Sequence, residues 1–361
     1  MTGLNAPKQD WPRVLPIYGA ASYATAITFR APISIENLIA TRTRVPADPD
    51  LDKLNTVVLE DAFRSTLPLP TLIDPGFKEA LRHVLDNPGS MVRPRMVMRV
   101  AAAYGLEVEY AHNLAIALEY FHTASLIFDD LPCMDNAVER RGKTCVHVEH
   151  GEASAILSAL ALVNRAYALT WQALMGCPQE KQPQVMAYLE ARLGVDGLLN
   201  GQSLDLHYSQ LPHSLESTER IAQGKTVSLI RLTLVLPAML AGAPPREKQL
   251  LERIAACWGL GYQIVDDLKD ILQSAAETGK TASRDVELDR PNIAAAIGIN
   301  GAVVRLERLM RLGDRTLRRL LVKRPALSFL LKLRGDLQGE LSQVTENACE
   351  LTAEMCTRER S

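Results

Sequence analysis

A chain of 361 residues, 47% hydrophobic and 23% charged, has the composition of a globular protein with a full core, in one large domain or two ordinary ones. Its formal net charge of −2 speaks against nucleic-acid binding, which draws on a concentrated basic surface. Six cysteines form no close metal-ligand pairs and no small-scaffold pattern, so reduced thiols in a cytoplasmic protein are expected.

Residues 1–53 carry scattered prolines and no sustained period, and read as a partly irregular extension; a single all-α domain is expected over 54–361. A first helix is expected from about Leu54 to Leu67, ended by Pro68 and Pro70. Pro75 opens a second through Leu85, closed by Asn87-Pro88-Gly89. Arg93–Tyr104 reads as a third, with Gly105 as its C-cap. Val108–Phe128 reads as amphipathic, with Leu114, Leu118, Phe121 and Ser125 on one side.

Glu152–Leu174 is apolar nearly all round, the pattern of a buried central helix. Helices over Gln182–Leu206, Ser217–Leu240, Arg246–Leu272, Pro291–Leu312 and Pro325–Cys356 complete the chain. The longest apolar stretches, Ala153–Leu162 and Leu232–Ala243, are too short or too interrupted to span a bilayer, and no cleavable signal is visible, so no transmembrane segment is expected. With almost no period-2 alternation, the expected fold class is all-α.

Two acidic clusters stand at the ends of apolar helices. In Asp266-Asp267-Leu268-Lys269-Asp270 the outer carboxylates are four residues apart, about 400° around a helix, so both point along one face as two ligands of a magnesium ion would. A solvated acidic helix end fits the same pattern. In Phe128-Asp129-Asp130-Leu131-Pro132-Cys133-Met134-Asp135-Asn136 the first and last aspartates are six apart, about 240° on a regular helix, and do not share a face. Pro132 removes a backbone donor and clashes with the preceding turn, so a helix broken there would swing Asp135 back towards Asp129. Three such carboxylates repel one another unless a cation joins them.

The first cluster, with Arg140-Arg141-Gly142-Lys143-Thr144 behind it, resembles the first aspartate-rich motif of the trans-isoprenyl diphosphate synthases, in the form with two extra residues between the aspartates. Tyr262-Gln263-Ile264-Val265-Asp266-Asp267-Leu268-Lys269-Asp270 resembles the second motif, and Gly224-Lys225-Thr226 and Thr278-Gly279-Lys280 match the lysine-bearing segments. The resemblance implies a bundle of long antiparallel helices around a central cavity, usually homodimeric. It implies that Asp129, Asp130, Asp135, Asp266 and Asp270 bind three Mg²⁺ ions bridging an allylic diphosphate. Arg140, Lys225 and Lys280 would neutralise that diphosphate, with Thr226 and Gln263 as polar supports. His122, Arg141 and Arg93 match positions that hold isopentenyl diphosphate, and Arg290 keeps the charge of a lysine common after Asp285.

The chain departs from the family at Gly89-Ser90-Met91-Val92-Arg93-Pro94, where Gly-Lys-Arg-x-Arg-Pro is usual. Each lost charge-assisted contact to isopentenyl diphosphate is worth on the order of 1.5–3 kcal/mol, or about one to two decades in affinity. The expected activity is therefore a Mg²⁺-dependent condensation of isopentenyl diphosphate with an allylic diphosphate. A terpene synthase on the same fold, or a non-catalytic partner of another prenyl synthase, are the alternatives that a thinned isopentenyl site raises. Ala124 and Ser125, the fifth and fourth residues before Asp129, leave room where an aromatic would stop the chain at fifteen carbons, with Phe121 as a deeper floor. His122-Thr123-Ala124-Ser125-Leu126 also resembles geranylgeranyl-producing members, so twenty carbons are expected.

Overall fold

The computed structural model describes residues 49–278 and 290–335 together with Gly339, and gives helix course alone for 49–55 and 272–278. Among the described residues the only sheet is a two-stranded hairpin, β1 (Glu139–Arg140) against β2 (Lys143–Thr144). Everything else is helix and connection. The chain is all-α.

The helices are α1 (Pro49–Thr66), α2 (Pro75–Leu85), α3 (Val92–Tyr104), α4 (Val108–Asp129), α5 (Val146–His150), α6 (Glu152–Leu174), α7 (Gln182–Leu193), α8 (Leu198–Leu206), α9 (Leu215–Ala222), α10 (Ser228–Leu240), α11 (Pro245–Thr278), α12 (Ile293–Ile297) and α13 (Ile299–Lys323). Starts and stops follow local chemistry. The Asp74 carboxylate accepts from the Phe77 N–H at 2.8 Å and caps α2, whose first residue is Pro75. The first helix begins at Pro49, five residues before the position the prolines alone suggested. The expected helix over Gln182–Leu206 is broken at Gly194–Gly197 into α7 and α8. The expected Ser217–Leu240 helix carries a π-turn at Gln223–Val227 between α9 and α10.

Helices α4 and α6 exchange the roles their sequences suggest. α4 is buried nearly all round, its polar Glu119, His122 and Thr123 included. α6 packs along α4 with Leu162 and Leu169 inward, yet leaves Leu157, Leu160 and Trp171 exposed at 51, 50 and 61%. At 23 residues and a mean hydropathy of 1.3 over its most apolar window, α6 is also long and apolar enough, by composition alone, to cross a bilayer. The apolar stretch is longer than Ala153–Leu162 suggested because interruptions such as Asn164 and Arg165 are few.

Two clusters of buried side chains form the core. One joins α1 to α4, α6, α7 and α10 around Phe63, Leu114, Leu118, Leu162 and Leu232. The other joins α10, α11 and α13 around Leu251, Ile264, Leu306 and Leu317. α4 ends at the acidic motif, and α11 carries the second one.

Candidate active site

Helix α4 stops where the sequence breaks it. Past Asp130 the chain reverses: the Asp135 N–H donates to the Asp129 carbonyl at 2.9 Å, Asn136 to Leu131 at 3.1 Å, and Ala137 to Asp130 at 3.2 Å. Asn136 takes a left-handed φ of 49°, a conformation asparagine tolerates. The turn brings Asp135 back beside Asp129, as a helix broken at Pro132 requires. Burial, and with it the nearby charge of Asp135, pushes the Asp129 carboxyl up to about 6 against the pull of Lys225. A cation is what would return it to the charged form.

A lysine and an arginine supply part of that charge. Lys225 Nζ lies 2.8 Å from Asp205 Oδ2, and Arg290 lies 2.7 Å from Asp135 and 3.2 Å from Asp205. Arg290 also donates to the Met134 carbonyl at 3.1 Å. Burial works against the charge on Lys225, but Asp205 and Asp129 outweigh it and raise its pKa. Lys225 sits in the π-turn, which packs on α8 so closely that a Cβ on Gly201 would lie 2.4 Å from the Lys225 nitrogen. Asp205 is a site residue that pattern reading passes over. Its signal is a lone acid at the end of α8, one turn after Gly201-Gln202, with an otherwise apolar inner face.

The second cluster divides by burial. Asp267 is 2% exposed; it accepts from Gln263 Nε2 at 2.8 Å and from the Ile293 N–H at 2.7 Å. Gln263 in turn accepts from the Thr226 hydroxyl at 2.6 Å. This chain of bonds fixes α11 to the π-turn that carries Lys225. Asp267 is structural. Asp266 and Asp270 are exposed on another side of α11, the arrangement expected of ligands.

On α4, two turns before Asp129, a second group of cations gathers. His122 Nε2 lies 3.4 Å from Arg141 Nη2. Burial, then the charges of Arg93 and Arg141, hold the imidazole well below its usual range, so it is neutral. Gly89, at φ 76°, makes room: a Cβ there would lie 2.1 Å from the Arg141 guanidinium. Arg93 Nε, His122 Nδ1, Thr123 Oγ1 and Glu119 Oε2 are buried without a hydrogen-bond partner. Orphaned donors such as Arg93 Nε, with Arg141 close by, are what an anion with many acceptor oxygens would satisfy; the Glu119 oxygen joins them only when protonated.

Burial pushes the Glu119 carboxyl up to about 7, although Arg93 and Arg141 oppose the shift. Between the ordinary glutamate value and 7, the folded chain therefore holds a proton that the unfolded chain lacks. This contribution is present at low pH and is lost as pH rises through 7, an amount on the order of 3 kcal/mol. Urea unfolding from pH 5 to 8 should show a smaller fall in stability for Glu119→Gln than for the parent; equal slopes would contradict the burial argument.

Two expectations change in detail, and one is not tested. Arg140 is bonded to one oxygen of buried Asp130 at 2.6 Å, so part of its charge is spent on that carboxylate, whose other oxygen stays available to an ion. Met91 is wholly buried, at a left-handed φ of 50°, so its side chain belongs to the core and not to an anion site. Ser90 beside it is exposed. Lys280 lies outside the described residues.

A model of the polyprenyl synthetase family matches residues 74–313. The chain belongs to that family. Among curated relatives of the chain, a chloroplastic geranylgeranyl pyrophosphate synthase of Capsicum annuum is 36% identical over 62% of this chain and 61% of its own. Geranylgeranyl pyrophosphate synthase 9 of Arabidopsis thaliana is 36% identical over 67% of this chain and 69% of its own. The chain thus spans about two thirds of the length of those relatives. Among solved structures, a geranyltransferase from Helicobacter pylori complexed with magnesium and isoprenyl diphosphate superposes with a TM-score of 0.66 at 26% identity, covering 84% of this chain and all of that one. An FPP/GFPP synthase from Zymomonas mobilis gives 0.63 at 26% identity, over 83% and 96%. The exposed and half-buried ligand candidates of this chain are all oxygens, a donor set that suits a hard cation such as Mg²⁺.

Proposed function

We propose that the chain is a Mg²⁺-dependent prenyltransferase that condenses isopentenyl diphosphate with an allylic diphosphate and makes the twenty-carbon geranylgeranyl diphosphate. One observation carries the reading. Helix α4 places two clusters of different kinds, carboxylates with Lys225 around Asp129 and two arginines, Arg93 and Arg141, around neutral His122, seven residues apart, or about 10 Å along a helix. Two diphosphates at that separation suit a reaction joining two substrates. The names of the plant relatives support the product, and their chloroplastic labels favour a plastid as an alternative to the cytoplasmic setting expected above.

In this reading Asp129, Asp130, Asp135, Asp266 and Asp270 would hold the metal, three ions by family resemblance. Bound there, the ions stabilise the departing diphosphate as a Lewis acid does. Lys225 and Arg290 place further positive charge beside it, and Asp205 keeps both pointed there. Arg93, His122 and Arg141 orient the isopentenyl diphosphate. Buried apolar walls from α4 keep water from the allylic cation while the double bond attacks. No protein nucleophile is needed. The exposed apolar face of α6 supports a homodimer, since a second copy would cover Leu157, Leu160 and Trp171.

Release of diphosphate from farnesyl diphosphate and Mg²⁺ should require isopentenyl diphosphate. Release without it would favour a terpene synthase. Ser90→Lys, at an exposed position beside the cation cluster, should lower the KM for isopentenyl diphosphate by about tenfold, as one charge-assisted contact would. An unchanged KM would show that Ser90 faces away from that substrate. Met91→Arg is expected to destabilise the fold instead, because it puts a guanidinium into a dry core.

A further inference from the structure

Away from both clusters, three side chains converge on a point between α2 and α5. His83 lies in the last turn of α2, and Glu149 and His150 close α5. One nitrogen or oxygen from each lies within 4.8 Å of the others. His83 Nδ1 is 3.1 Å from one Glu149 oxygen, and His150 Nε2 is 3.9 Å from the other. On its far side, His83 Nε2 lies 2.9 Å from the Thr144 carbonyl.

Donors and acceptors do not balance in this group. The Thr144 carbonyl only accepts, so His83 Nε2 carries a proton. In the neutral ring Nδ1 then presents a lone pair, and at 3.1 Å it faces a carboxylate oxygen that offers only lone pairs. Something positive belongs between them. A second proton on His83 would satisfy that contact and nothing else. It would leave His150 Nε2, which is buried and has no hydrogen-bond partner, still orphaned. A single cation serves all three atoms at once.

We propose that His83, Glu149 and His150 form a binding site for a zinc-class divalent ion, separate from the magnesium cluster. Two imidazole nitrogens and a carboxylate make a borderline ligand set that suits Zn²⁺ or Co²⁺, whereas Mg²⁺ demands a shell of oxygens. Ligand bonds of about 2.0–2.1 Å in a tetrahedron put ligand atoms about 3.3 Å apart. The 3.1 Å separation lies near that value, and the 3.9 Å one, to the other Glu149 oxygen, closes to it with a shift of about half an ångström. The bond from His83 to Thr144 is the outer contact that fixes the tautomer of a metal-binding histidine. Glu149 is half exposed, which opens a way in and leaves a fourth position to water.

The position gives the ion a structural consequence. α2 leads directly into the Gly89–Arg93 segment, and α5 follows the hairpin that bears Arg140 and Arg141. An ion at this point ties those two segments together behind the His122 cluster.

The test uses the full chain, stripped with a chelator and then kept in excess Mg²⁺ so that the aspartates are occupied. Co²⁺ is the optical probe and Zn²⁺ the competitor. The expected result is one equivalent of Co²⁺ with the intense visible absorption of a four-coordinate nitrogen-bearing site, displaced by Zn²⁺, with slower amide exchange over residues 139–150. His83→Ala and His150→Ala should each abolish the absorption and weaken Zn²⁺ binding by about tenfold or more. His147→Ala, on the same short helix, should keep both. Should an alanine variant fail to fold, His83→Gln and His150→Gln keep the side-chain volume and are read in the same way. No Co²⁺ uptake by the parent, or undiminished uptake by the His83 and His150 variants, would overturn the site.

Discussion

Asp129→Ala is expected to lower the condensation rate by about 10²–10³-fold, the scale of losing one preorganised electrostatic contact in an active site. The structure says why the loss should fall on catalysis and not on folding. Burial and the neighbouring Asp135 leave the Asp129 carboxyl half protonated near pH 6. Without an ion it is a strained acid, and a neutral side chain in its place removes a repulsion. What disappears is a ligand. Calorimetric titration of the variant with Mg²⁺ and an allylic diphosphate should show the binding lost, while its urea midpoint stays at or above that of the parent. An unaffected rate would sink the metal assignment; a lowered midpoint with normal Mg²⁺ binding would assign Asp129 a structural role.

Ser125→Phe is expected to shift the main product from twenty carbons to fifteen with little change in turnover. Ser125 stands one turn before Asp129 on the same side of α4, is partly exposed, and spends its hydroxyl on the His122 carbonyl at 2.8 Å. An aromatic ring there would stand on the side of α4 that carries Asp129, in the way of a tail extending back along the helix. Ala124 is different. It is buried in the core, so Ala124→Tyr would also cost about 1–3 kcal/mol of overpacking, and a shorter product from it would be mixed with instability. Phe121, one turn deeper, packs edge-on to Tyr167 with ring centroids 5.0 Å apart, a floor for a longer chain. Mass spectrometry of the products reads the shift directly. Unchanged twenty-carbon product from a folded Ser125→Phe would place the tail elsewhere.

Much of this was legible in the sequence where covalent geometry decides. A proline two residues past paired aspartates breaks a helix, and the turn back to Asp135 follows. Four-residue spacing puts Asp266 and Asp270 on one face, and Asp267, a quarter turn away, falls to the core. What depends on partners was hidden. Hydropathy cannot tell a helix buried by its own chain from one with an uncovered apolar face, so α4 and α6 were exchanged. Asp205 offers only the faint signal of a lone acid in α8; its role exists because the π-turn delivers Lys225 and a segment 85 residues away delivers Arg290. At Met91 the sequence shows a missing cation, whereas the left-handed backbone turns the side chain into the core. The isopentenyl site is thinned by one accessible position, Ser90, more clearly than by two.

On the proposed function, α4 holds two diphosphates for joining. Incubating the purified chain with Mg²⁺ and farnesyl diphosphate, with and without isopentenyl diphosphate, and weighing the products by mass spectrometry tests it most directly. A twenty-carbon diphosphate is expected, formed only when isopentenyl diphosphate is present. A hydrocarbon or alcohol formed from farnesyl diphosphate alone would contradict it.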